Sequence, residues 1–251
     1  MFSYQLYSSR NFPPLAKTLE MLAATGYRAV EGFGGLYADP AGLSDLHAGL
    51  QACGLKMPSG HFGLAQVEDT PDWAIKVAKT LGMEQVIVPW IHPDERPTTG
   101  KGWHDLGVRL QKAGRPICDA GLKFGWHNHD FEFIKTADGA VPQTALFEGG
   151  PDLAWEMDVA WVVRGGADPL AWIVDHKSRI IAAHVKDIAA KGENLAEDGW
   201  ADLGYGVVDW ATILPALRKI GVTNFVMEHD NPADHARFAR RSLASAEKLK
   251  G

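Results

Sequence analysis

Short apolar runs alternate along the chain with longer stretches of helical period, the pattern of repeated β/α units. The runs predict eight strands, near Phe2–Tyr7, Ala29–Phe33, Lys56–His61, Gln85–Pro89, Lys123–His127, Ala154–Asp158, Ile180–His184 and Asn224–Glu228. Between them, apolar residues recurring every three to four positions predict helices around Pro14–Thr25, Leu43–Cys53, Pro71–Leu81, Gly102–Ala120, Pro169–His176, Asp209–Ile220 and Ala233–Lys250, with a shorter one near Val141–Phe147. Pro13-Pro14 opens the first helix, Asp168-Pro169 opens another, and Gly26 and Gly221 close two. A chain of 251 residues is about the size of one (β/α)8 TIM barrel. No Pro-, Gly- or Ser-rich linker divides it, so one domain over residues 1–251 is expected.

Four of the predicted strands, all in the second half, finish in polar residues two positions apart. Side chains alternate along a strand, so residues two apart share a face. His127 with His129, Glu156 with Asp158, His184 with Lys186, and Glu228 with Asp230 are four such pairs. In a parallel barrel they converge at the C-terminal mouth, where barrels of this kind place their chemistry. Four carboxylates buried there need compensating charge. Lys186 supplies one positive charge, and a divalent cation among Asp158, His184 and Glu228 would supply the rest. Mixed carboxylate and imidazole ligands suit Mn2+, Mg2+, Co2+ or Zn2+; the alternative is a metal-free salt-bridge network tied together by Lys186.

The connection from about Val185 to Val208 is long for a β/α unit and carries Gly199-Trp200 and Leu203-Gly204-Tyr205-Gly206, which predicts an active-site loop against the alternative of a surface decoration. The formal net charge of −6 offers no general basic field for nucleic acid or an anionic membrane. No apolar run is long enough to cross a bilayer, and no secretory signal is evident after Met1, so a cytoplasmic protein is expected. The two cysteines, Cys53 and Cys118, fall in predicted helices and read as inert, semi-buried thiols in a reducing compartment.

Trp-His-Asn-His-Asp-Phe-Glu-Phe (126–133), Glu-Met-Asp-Val-Ala-Trp-Val-Val-Arg-Gly-Gly-Ala-Asp-Pro (156–169), His-Val-Lys-Asp (184–187), Gly-Tyr-Gly-Val-Val-Asp-Trp (204–210) and Glu-His-Asp (228–230) resemble the xylose-isomerase-like sugar phosphate isomerase/epimerase superfamily. The resemblance covers essentially the whole chain, since Val30-Glu31-Gly32 and Ser59-Gly60-His61 stand at the family's second and third strand ends. It implies a TIM barrel and a metal held by Glu, Asp, His and Glu on the fifth to eighth strands. Asp158, His184 and Glu228 match, while His127 stands where relatives often have Glu. A neutral imidazole there can ligate metal or move a proton, and Glu132 curling back is an alternative substitute.

The implied chemistry is proton transfer beside a carbonyl, through an enediolate. In this reading Glu228 or His127 carries the proton, Lys186 stabilises the developing oxyanion, and Glu156 and Asp230 orient Lys186, His129 or a substrate hydroxyl. His61, Trp90, His129, Trp161 and Asp230 are the expected substrate contacts, with simple packing the alternative role for the two tryptophans and anion binding one option for Arg164. The expected activity is a sugar or keto-sugar isomerase or epimerase. An inosose-type dehydratase and a non-catalytic sugar-binding barrel are the alternatives, and an endonuclease fits the acidic balance poorly. The expected partner is a small sugar or polyol; barrels of this group often self-associate, so a homo-oligomer is left open.

Overall fold

The computed structural model describes residues 1–249; the last residue of the helix expected to reach Lys250 lies outside the described residues. Eight parallel strands close into a barrel: Phe2–Gln5, Ala29–Gly32, Lys56–His61, Gln85–Val88, Lys123–His127, Ala154–Asp158, Ile180–Val185 and Asn224–Met227, with the first pairing to both the second and the eighth. In that order they are the first to eighth barrel strands. All eight match the expected positions. The largest difference is at the first, where Leu6–Ser9 turns into a 3-10 helix instead of extending the strand to Tyr7.

The helices form where period and punctuation agree. Pro40–Cys53 starts behind Asp39, whose carboxylate accepts from the N–H groups of Ala41 and Gly42, and ends at Gly54 in the left-handed region. Helix Gly100–Asp119 buries Trp103, Leu106, Leu110 and Ile117 along one stripe. Two short helices, Leu64–Asp69 and Val159–Arg164, were not expected; the second starts on Asp158, whose side chain accepts from Trp161 N–H.

Strand register aligns the mouth. Asp158 lies opposite His184, His127 opposite Glu156, and Glu31 opposite both Gln5 and Ser59. The long connection after the seventh strand folds into a two-stranded antiparallel hairpin, Asp187–Ile188 with Trp200–Ala201. The Asp187 carboxylate accepts from the N–H groups of Ile188, Gly204, Gly206 and Val208, which pins the loop's return at its base. Gly206 is required there, because a Cβ would overlap the Asp187 carboxylate. Cys53 is half-buried and Cys118 exposed, so the expectation of two semi-buried thiols holds for the first only: Cys118 sits on the outer side of its helix.

Helix Gly100–Asp119 packs tightly on Pro142–Gly149. A methyl group at Gly107 would overlap the Leu146 carbonyl, and one at Gly149 would overlap that of His104. Backbone has no room to yield, so Gly107→Ala is expected to cost about 3 kcal/mol, the upper part of the usual overpacking range. Urea unfolding monitored by circular dichroism measures it, and a change below about 0.5 kcal/mol, the size of an ordinary surface substitution, would show that the helices part freely.

Candidate active site

The four polar pairs meet as their period requires, but in two layers. The upper layer faces a cavity of about 490 Å3 whose lining includes Tyr7, Phe33, Phe62 and Trp90 on one side and His127, His129, Glu228 and Asp230 on the other. In it Lys186 Nζ lies 2.8 Å from Glu228, 2.9 Å from Asp230 and 3.3 Å from Asp158. The lower layer holds Glu31 and Glu156, and His61 reaches from it to the cavity. His61 Nε2 is 2.6 Å from Glu156 Oε2 and 3.2 Å from Glu31 Oε1, and His127 Nδ1 is 3.2 Å from Glu156 Oε2.

His184 joins the layers. Its Nδ1 is 2.9 Å from Glu228 Oε2, and its Nε2 is 2.7 Å from Glu31 Oε1. Asn128 steadies the neighbouring strand end: its amide donates to the Asp158 carbonyl, while its oxygen accepts from Asp158 N–H and the Trp155 indole.

Charges follow from burial and neighbours. Burial opposes a proton on His61, but Glu31 and Glu156 outweigh it and push the imidazole up to about 9. His184 is likewise held well above the usual imidazole range by Glu156, Glu228 and Glu31 despite its burial. His127 lies well below that range, through burial and the adjacent imidazoles, and burial with Lys186 takes His129 down to about 3. Lys186 resists burial because Asp158, Asp230 and Glu228 surround it, so it stays an ammonium. Burial raises the Asp158 carboxyl to about 6, against the pull of Lys186 and His184.

The donor set fits a divalent cation. One donor atom each from His127, Asp158, His184 and Glu228 lies within 4.8 Å of the others. Asp158 Oδ2 is buried and accepts no hydrogen bond, since Lys186 Nζ at 3.3 Å attracts it without the alignment to donate. Five carboxylates, Glu31, Glu156, Asp158, Glu228 and Asp230, share this knot with three cationic groups, His61, His184 and Lys186. Two negative charges are left over, and three once His184 gives up its cationic proton in order to ligate, an excess that a divalent ion would reduce to one. A second overlapping group, His61, His127, Glu156 and His184, has the same compactness one layer down.

The remaining expected residues divide between cavity, knot and loop. Glu156 lies below Lys186 and meets His61 and His127 instead of orienting the lysine, whereas Asp230 does bond Lys186. Trp90 and His129 line the cavity, as does His61; Trp161 does not, because it packs against His129 and covers Lys186 together with Trp200 of the loop. Arg164 stacks on Trp200 and donates to the Asp198 carbonyl, facing the loop. Glu132 accepts from the Trp126 indole and His129 N–H on the outer side of the fifth strand, so it does not stand in for the missing glutamate. Glu31, Gln5 and Ser59 had no assigned role. The period-two criterion finds Ser3 with Gln5 and Ser59 with His61 in the first half as well, and Glu31 is an acid inside the strand Ala-Val-Glu-Gly.

A profile of the xylose isomerase-like TIM barrel matches residues 19–248. The chain belongs to that family. Similar to it are the rhizopine catabolism protein MocC of Rhizobium meliloti, 24% identical over 92% of this chain and 81% of that one, and two solved barrels. A sugar phosphate isomerase/epimerase from Parabacteroides distasonis superposes with a TM-score of 0.82 at 20% identity, over 99% of this chain and 95% of that one. The IolI protein with a bound zinc atom superposes with a TM-score of 0.76 at 14% identity, over 99% and 97%. Among the described residues, no helix of this xylose isomerase-like barrel is long and apolar enough to cross a membrane.

The His61 contacts carry a pH signature. A group whose pKa is raised on folding, here from 6.5 to about 9, gives its full stabilisation below 6.5 and loses it as pH rises through 9. In metal-free protein, the stability advantage of wild type over His61→Gln should therefore shrink across that window, by about 3 kcal/mol at most. Denaturant melts of both proteins at its two ends measure the change, and a constant difference would mean that His61 stays neutral.

Proposed function

We propose that this protein is a divalent-metal-dependent isomerase or epimerase of a keto-sugar or related polyol, working by proton transfer beside a carbonyl. The observation that carries the reading is the convergence of His127, Asp158, His184 and Glu228, from four successive strand ends, with His127 and Glu228 lining a cavity that Tyr7, Phe33, Phe62 and Trp90 also line. When bound, the ion would draw adjacent carbonyl and hydroxyl oxygens together and stabilise negative charge on them. Everything else falls to side chains of this chain.

Tyr7, Phe33 and Trp90 offer flat apolar surface to the C–H face of a sugar. His129, neutral and lining the cavity, is suited to bond a hydroxyl. Glu228 and His127 border the cavity. Glu228 is kept ionised by Lys186 and His184 against its burial, so it takes the proton from one carbon and, once protonated, returns it to the next; His127, neutral with its lone pair free, is suited to ligate. Lys186, fixed by three carboxylates, adds constant positive charge where the oxyanion forms. The zinc of the IolI barrel and the activity named for the Parabacteroides barrel support the same assignment.

The test is deuterium exchange. Protein loaded in turn with Mn2+, Mg2+, Co2+ and Zn2+ is incubated in D2O with a panel of keto-sugars, and products are read by NMR. Carbon-bound deuterium in an isomer or epimer is expected; loss of water would make the protein a lyase, and binding without exchange would make it a sugar-binding barrel.

Three variants sharpen this. Metal should raise the melting temperature by mass action on the native state, and Asp158→Asn and His184→Ala should abolish the rise in differential scanning fluorimetry; an equal rise in all three proteins would remove the site. Lys186→Met should lower kcat on the order of a hundredfold with little change in KM, as for loss of one oxyanion donor. A change in KM alone would make Lys186 a binding group.

A further inference from the structure

Glu31, like Glu156, has no role in the reaction proposed above, and its surroundings are unusual in that every neighbour donates. Gln5 Nε2 lies 2.7 Å from Glu31 Oε1, and Ser59 Oγ donates to Oε2. His184 Nε2 lies 2.7 Å from Oε1, and His61 Nε2 3.2 Å from it. The donors are themselves tied down: Asn224 Nδ2 donates to Ser59 Oγ, and Ser3 Oγ donates to Asn224 Oδ1. A continuous hydrogen-bonded floor thus crosses the barrel from Ser3 through Asn224 and Ser59 to Glu31 and His184, all of them buried.

We infer that Glu31 is a positioning residue, held by this floor, that keeps the proton of His184 on Nε2 and so turns Nδ1 and its lone pair toward the cation. The inference rests on the metal reading above. An imidazole has two nitrogens, and the bond made by one decides which is left to ligate. Glu31 at 2.7 Å is the nearer of two carboxylates at Nε2, Glu156 lying at 3.2 Å, so the nitrogen left to ligate is Nδ1, which lies 2.9 Å from Glu228 and 3.9 Å from Asp158, two other members of the donor set. Only a carboxylate satisfies this place. A glutamine would bring its own N–H2 against Gln5, Ser59 or His184, leaving donors face to face in a buried site.

Glu31→Gln and Glu31→Asp test the inference with zinc alone as the probe. The aspartate keeps the floor's charge but draws its oxygens one methylene away from Nε2, and it serves if the glutamine variant does not fold. Calorimetry should give a zinc affinity at least about tenfold weaker for each, the lower end of losses seen when a ligand's outer partner is removed. In zinc-loaded wild type, 15N spectra of the His184 ring, assigned with His184→Gln, should show Nε2–H with Nδ1 on the metal; in the variants that pattern should be lost or mixed. Unchanged affinity overturns the inference, and so does weakened affinity with the Nε2–H pattern intact, which would make Glu31 a structural acid only. If wild type binds no zinc, the metal reading falls and the role of Glu31 with it.

Discussion

Much of this barrel's interior depends on one ring. His184 is wholly buried and gripped by carboxylates at both nitrogens, Glu228 above and Glu31 below. Removing an ion from water costs several kcal/mol even after relaxation, and only close opposite charge offsets it. Each acid around His184 is therefore tolerable only while its partners are in place. The arrangement binds five strands into one electrostatic unit: Glu31 from the second, His61 from the third, Glu156 and Asp158 from the sixth, His184 from the seventh, and Glu228 at the end of the eighth.

Such a unit needs walls that do not move. Asn128 locks the backbone of Asp158 to the fifth strand. Trp161 and Trp200 cover Lys186 with aromatic faces, where an ammonium is attracted to the ring quadrupole. The loop that brings Trp200 is also tied to the last helix, because Arg237 bonds Glu197 through two parallel contacts of 2.9 Å and reaches Asp202 at 3.1 Å. Fixed dipoles and charges of this kind favour a transition state without having to reorganise.

The fold was legible because period and punctuation agree locally at nearly every element, from the four-residue run Gln85–Val88 to the Asp168-Pro169 helix start. The upper layer of the site was legible for a related reason: polar residues two apart share a face, and four parallel strands ending in such pairs leave their side chains one common volume to occupy. The lower layer was harder to see. Ser3, Gln5, Ser59 and Asn224 are uncharged and ordinary in strands, and only their meeting across the barrel gives them meaning. Glu156 and Trp161 show a second limit. Alternation fixes which face a residue shares, but depth within the barrel depends on strand stagger, which no single strand contains. Thus Glu156 lies with the imidazoles, and Trp161 turns over Lys186 instead of toward the cavity.

Asp187 stands directly beside Lys186, yet its carboxylate is spent on four backbone N–H groups at the neck of the loop. That neck separates two kinds of inheritance. Residues on the barrel side are constrained by charge balance, because each buried acid there relies on its partners. The tip of the loop, residues 190–196 with the exposed Leu195, meets solvent, and the clasp of main-chain bonds at the neck closes it off. A change of residue at that tip leaves Trp200 over the lysine and the bonds of Glu197 and Asp202 to Arg237 in place, so the shape of the rim can vary without altering the charges beneath it.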